Sequence, residues 1–346
     1  MQSSHFGNLP CGRSVEAYLL TNAAGMELMA ITYGGIVTTL RAPDRHGRMA
    51  DVVLGFNQLE PYLARHPYFG AITGRVAGRI PGGRFKLDGT IYQLALNDGT
   101  NHLHSGWVGL DQRIWDASPV IRPDGADSLQ LHYLSPDGEE GYPGNVDITV
   151  TYTLTDANEF IIDTEATSDR PTPLSLTHHA YFNLAGEGCG TIEDHQLRVH
   201  SDLVIPVDST LAPLGRAQSV LGKADDFNST RRIGDALPGL FRQHGGLYLV
   251  RRSPGESLAR AAELSDPLSG RVLTVTTTEA CLQLYSAFAL DGSLIGKSGN
   301  SYPPYAGFCL ECEGYSDGVN IPDFGDIIVR PGTPQKNRTI YAFSKS

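Results

Sequence analysis

Two adjacent histidines, His178 and His179, interrupt an apolar and aromatic run in SLTHHAYFNLAG (175–186), and Glu311 interrupts another in GFCLECEG (307–314). Imidazole gains and loses a proton near neutral pH and a carboxylate is a natural counterpart, so these residue types point to general acid–base chemistry. Burying Glu311 among Cys309, Leu310 and Cys312 without a partner is costly, so its carboxylate requires either a hydrogen-bonding group or a pocket. Two further stretches set polar groups between apolar ones: GRVAGRI (74–80), with Arg75 and Arg79, and NHLHSGW (101–107), with His102 and His104. A guanidinium fork suits hydroxyl or carboxylate oxygens. Either arginine is equally readable as a surface charge, and each histidine as a satisfied strand residue.

All four stretches read as extended chain, in which side chains alternate between two faces. His179 and Tyr181 then share one face, while His178 and Ala180 share the other, so only one of the neighbouring histidines enters a given pocket. If NHLHSG is a strand, His102 and His104 project together. A His-x-His pair begins the ligand set of some small metal-binding β barrels, but the residues after His104 (Ser105, Gly106, Trp107, Val108, Gly109) supply no carboxylate, and no metal is expected. Cys309 and Cys312 form a C-x-x-C, yet alternation turns them to opposite sides, so the thiols read as packing residues rather than a redox pair. Glu311 and Glu313 fall on one face, which opens a glycoside hydrolase reading, since that chemistry uses two carboxylates about 5 to 10 Å apart.

The elements that must position these groups are strands. Short runs rich in Val, Ile, Thr and Tyr recur between turn signals along the whole chain, from MELMAITYGGIVTTLRAPDRHGR to RTIYAFSKS, with 39 Gly and 21 Pro. In KLDGTIYQL the Asp88-Gly89 dipeptide predicts a tight hairpin, because glycine accepts positive φ. TLTDANEFII and LSDPLSGRVLTVTT repeat the pattern with longer turns. Helical periodicity is confined to a turn or two in NQLEPYLARHP and RRIGDALPGL. With no linker, low-complexity tract or short repeat, residues 1–346 are expected to form a single all-β domain, a large antiparallel sandwich with a site on an open face.

Composition narrows the partners. The 346 residues are 40% hydrophobic, enough for a sizeable core, and carry a formal net charge of −11. Without a basic run the chain is not expected to bind nucleic acid. The absence of a basic-then-apolar start and of eighteen consecutive apolar residues argues against export and against a membrane-spanning helix, so a cytoplasmic location is expected. Five cysteines are too sparse for a disulfide framework.

Taken together and in order, the four stretches resemble those of the aldose 1-epimerases, the galactose mutarotase family. PYFGAITGRVAGRI (67–80), GEEGYPGNV (138–146), SDPLSGRVLTVTTTEACLQLYS (265–286) and GFCLECEGYSDGVN (307–320) all have counterparts there, so the similarity spans nearly the whole chain. The resemblance implies a β supersandwich that interconverts the α and β anomers of a free sugar without a cofactor. Carried over position by position, it implies Glu311 as general base and His179 as general acid, with Arg79, His104, Tyr181 and Gln283 contacting the substrate. The expected partner is a monosaccharide or related hemiacetal; the oligomeric state is left open.

Three positions depart from the family pattern. Gly78 stands where an asparagine is common, and so does His178. LFRQHGGLYLVRR (240–252) contains no acid where the family has an aspartate, with Gly245 or Gln243 falling near that place. Because a hydrogen bond to a charged group contributes about 1.5 to 3 kcal/mol, an altered hydroxyl-reading pocket is expected, with galactose or glucose served less well. The alternatives are a diverged isomerase or cyclase acting on another sugar or carbonyl compound, and a non-catalytic carbohydrate-binding module.

Overall fold

A computed structural model describes residues 1–64 and 66–346. Three antiparallel sheets build a β supersandwich. The first is a five-stranded meander running from Gln2–Asn8 to Met49–Asp51. The second has nine strands in the order Asp116–Val120, Asp127–Ser135, Val146–Leu154, Glu159–Ser168, Gln335–Lys345, Arg271–Thr277, Ala259–Ser265, Gln196–Val199 and Arg231–Arg232. The third has six: Tyr181–Phe182, Phe308–Glu313, Cys281–Tyr285, Leu247–Leu249, Leu203–Ile205 and Gln218–Ser219.

Local chemistry explains much of this. Arg84–Leu87 and Thr90–Gln93 pair with Leu87 opposite Thr90, and the expected hairpin turn lies between them, with Asp88 at φ 47° and Gly89 at φ 85°. Both expected helical stretches give single turns, Glu60–Leu63 and Ile233–Ala236. Alternation then decides the layers. Even-numbered residues of the Phe308–Glu313 strand (Phe308, Leu310, Cys312) and their neighbours Leu282 and Leu284 join a core with Leu129, Val150, Tyr152, Leu273 and Val275 of the nine-stranded sheet. One face of the six-stranded sheet is therefore packed against the nine-stranded sheet. Its other face is free to carry a site.

Candidate active site

The free face of the six-stranded sheet is the floor of a cavity of about 310 Å³, at the small end of the usual ligand-pocket range of about 300 to 1,000 Å³ and suited to one monosaccharide. Strand register assembles that floor. Gln283 pairs with Glu311, Leu247 with Gln283, and both Tyr181 and Tyr285 with Cys309, and directly opposed residues project to the same side. Leu247, Gln283, Tyr285, Glu311, Glu313 and Tyr181 accordingly all line the cavity.

Loops supply the walls. The strand Arg79–Pro81 pairs with Asn101–Leu103, and Arg79 enters the cavity with its Nε donating to Asp98 Oδ2 at 2.7 Å. His104 leaves the strand: it stands at φ 47° and is followed by Ser105 at φ 71°. Its backbone N–H donates to the Gly78 carbonyl at 3.1 Å, while its Nδ1 accepts from the Gly78 N–H at 3.2 Å. Burial, followed by the nearby His179 and Arg79, pushes its pKa well below the usual histidine value. A neutral ring whose Nδ1 accepts carries its proton on Nε2, so His104 offers the cavity a donor.

His179 stacks on Tyr181 with ring centroids 5.1 Å apart, and Tyr68 lies 5.7 Å from it. Its Nε2 is 3.4 Å from Glu311 Oε2, with both side chains almost wholly buried. Burial drives the two groups in opposite directions, lowering the His179 pKa to about 3 and raising that of Glu311 to about 8, with Arg79 pulling the latter back only in part. Burial thus favours the neutral form of each group.

All six residues singled out from the sequence, Arg79, His104, His179, Tyr181, Gln283 and Glu311, line this one cavity. Others do not reach it. His178 faces the core, 5.7 Å from the Tyr152 ring and 5.6 Å from Phe160. His102 does not share a face with His104, because the strand ends at Leu103; its Nδ1 meets the Ala95 carbonyl at 2.8 Å. Arg75 is 1% exposed and ties loops together rather than binding at a surface. Cys309 lies 3.7 Å from His179 Nδ1, whereas Cys312 is in the core on the opposite face.

Residue types alone did not single out Tyr68, His244, Tyr285 and Phe288 as cavity residues, although aromatic rings are frequent sugar-facing groups; all four line it. The 240–252 segment contributes His244 there. A side chain at Gly245 is sterically barred: φ is 118°, and a Cβ would sit 2.3 Å from the Leu284 carbonyl oxygen. The Gln243 Oε1 accepts from the Tyr305 hydroxyl. His104, His179 and Glu311 place one potential ligand atom each within 4.8 Å of one another. That donor set also suits a divalent ion, and it consists of the same atoms as the proton-transfer pair plus the His104 donor.

Comparison with known proteins gives the family and the fold. The family profile "Aldose 1-epimerase" matches residues 16–342. The galactose mutarotase of Homo sapiens is 42% identical over 340 residues, covering 98% of this chain and 97% of that protein. The aldose 1-epimerase of Escherichia coli K12 is 32% identical over 341 residues, covering 96% of each. Among solved structures, the galactose 1-epimerase of Lactobacillus acidophilus superposes with a TM-score of 0.86 at 28% identity, covering 100% of this chain and 98% of that one.

Proposed function

Because the chain belongs to the aldose 1-epimerase family, and is an isomerase that interconverts the anomers of a sugar, we propose that His179 and Glu311 carry out its proton transfers. Opening a cyclic hemiacetal removes a proton from the anomeric hydroxyl and gives one to the ring oxygen. Both oxygens are borne by the same carbon. A base and an acid 3.4 Å apart therefore serve them side by side, from one edge of the sugar.

The sequence of steps follows from the shared proton. Glu311 as carboxylate accepts the hydroxyl proton while His179 as imidazolium donates to the ring oxygen, and the C–O bond breaks to give an open-chain aldehyde. The pair is left as neutral acid and neutral imidazole, the distribution that burial favours. After half a turn about the bond next to the aldehyde, His179 takes the proton back from the attacking hydroxyl and Glu311 returns one to the new anomeric oxygen. No net proton is gained or lost, and the chemistry calls for no cofactor. Arg79 and the His104 Nε2–H are placed to donate to sugar oxygens and to stabilise charge developing there.

The single observation that carries this reading is the His179–Glu311 contact at the base of a monosaccharide-sized cavity. The hydrolase alternative is disfavoured, because Glu311 and Glu313 project from one face of one strand, whereas glycosidase carboxylates flank the scissile bond. The test is anomer exchange followed by NMR or polarimetry on a panel of aldoses. Wild-type protein accelerates exchange, and H179N and E311Q each lose on the order of 10² to 10⁴ in kcat. Full activity in E311Q would overturn the role given to the carboxylate. A substrate preference away from galactose and glucose is part of the same proposal, supported by the lack of an acid in residues 240–252.

A further inference from the structure

The proton-transfer pair leaves one buried carboxyl of the cavity unused. Glu313 follows Glu311 by two residues in the strand Phe308–Glu313 and so shares its face. It lines the cavity and is 1% exposed, yet its Oε2 has no hydrogen-bond partner among the described residues. An unpartnered acid in such a place is costly unless something arrives to satisfy it. Burial first, and then the charges of Glu311 and Glu279, hold its pKa well above the ordinary carboxylate range.

The backbone closes in on one oxygen of this carboxyl and leaves the other to the cavity. Gly78 lines the cavity with φ at 72°, and a Cβ at that position would lie 2.8 Å from Ser316 Cβ and 3.1 Å from Glu313 Oε1. Any side chain at residue 78 would press on both neighbours, so Gly78 and Ser316 hold the Oε1 side of the carboxyl in place. The oxygen without a partner is the other one, Oε2. From residues 240–252 the polar side chain that lines this cavity is His244, whose ring packs 5.1 Å from Tyr285.

We propose that Glu313 forms a specificity-determining subsite, in which its unpartnered carboxyl oxygen hydrogen-bonds one hydroxyl of the bound aldose. The polar group that reads this hydroxyl thus comes from the central strand that also carries Glu311, not from the segment of residues 240–252. The inference rests on the mutarotase reading and deepens it. Glu313 binds; it takes no part in the two proton transfers.

The experiment compares wild type with Glu313→Met, using D-galactose and its 2-, 3-, 4- and 6-deoxy derivatives as substrates for anomer exchange. For D-galactose the substitution raises KM about ten- to hundred-fold, the equivalent of a lost hydrogen bond to an acid, and the effect falls on KM rather than kcat. That penalty disappears for the one deoxy sugar that lacks the hydroxyl being read. Glu313→Gln, which keeps the shape of the side chain and a hydrogen-bonding end, shows a smaller penalty with the same dependence on the same deoxy sugar, and guards against a Met variant that misfolds. An unchanged KM in both variants, a penalty equal across all deoxy sugars, or a loss confined to kcat overturns the subsite while leaving the mutarotase reading intact. Failure of wild-type protein to exchange any of these sugars overturns the subsite for them, and failure across the wider aldose panel overturns the mutarotase reading itself.

Discussion

A buried carboxyl and a buried imidazole 3.4 Å apart do not titrate as separate groups. One proton serves both, and the form with exactly that proton count is the one able to open and close a ring. With Glu311 raised to about 8 and His179 lowered to about 3, the singly protonated pair persists between those limits. Raising the pH through about 8 strips the last proton, so kcat/KM is expected to be flat across neutral pH and to fall on the alkaline side. A pH–rate profile checks this; a decline centred near 6.5, the ordinary histidine value, would mean that His179 titrates as if exposed. The neighbouring His104 has no such role, because the Gly78 N–H engages its Nδ1 and keeps the proton on the nitrogen that faces the sugar.

The elements around the site depend on a buried cation that takes no part in the chemistry. Arg75, four residues before Arg79, donates to the Ser135 hydroxyl at 2.9 Å, the Thr172 hydroxyl at 2.6 Å, and the carbonyls of Pro143 and Gly144 at 2.7 and 3.3 Å. Its guanidinium also lies 5.5 Å from the Tyr142 ring. Burial lowers its pKa to about 10, which leaves it charged at neutral pH. The loop that delivers Gly78 and Arg79 is thereby fastened to the segments at 135–144 and 172. Arg75→Met removes the donors to four oxygens, of which the Ser135 hydroxyl keeps its bond to Glu139, so a loss on the order of 3 kcal/mol is expected. Chemical denaturation measures it, and a midpoint equal to that of wild type would show the fork to be dispensable. Since Arg75 is absent from the cavity lining, KM in the folded fraction should hold.

At the scale of the whole molecule, the last strand is the keystone. Gln335–Lys345 inserts between Glu159–Ser168 and Arg271–Thr277, so chain segments far apart in sequence share one sheet. The principal core cluster draws its residues from Leu20 to Phe343, nearly the whole length of the chain. Unfolding is accordingly expected as one cooperative transition, despite a length at which chains often divide into domains. Calorimetry and the fluorescence of Trp115, buried at 1% exposure, should report the same midpoint. Two separated transitions would show that residues 1–346 contain more than one folding unit. No helix among the described residues is long and apolar enough to cross a membrane.

The supersandwich and the residues that meet at the cavity were implied by the resemblance of four ordered motifs to the aldose 1-epimerases; period-two alternation and turn dipeptides were enough by themselves to read an all-β chain, the hairpin at Asp88-Gly89 and the opposite facing of His178 and His179. These last features depend on a few neighbouring residues, and the backbone's own geometry dictates them. Three matters belonged to the tertiary structure. His104 parted from His102 because the strand ends at Leu103, a boundary set by pairing with Arg79–Pro81. Arg75 became a tie within the interior because residues 60 to 97 positions away closed around it. The resting place of the proton passed to Glu311 because desolvation depends on what surrounds a carboxyl in three dimensions, which no local pattern of residues encodes.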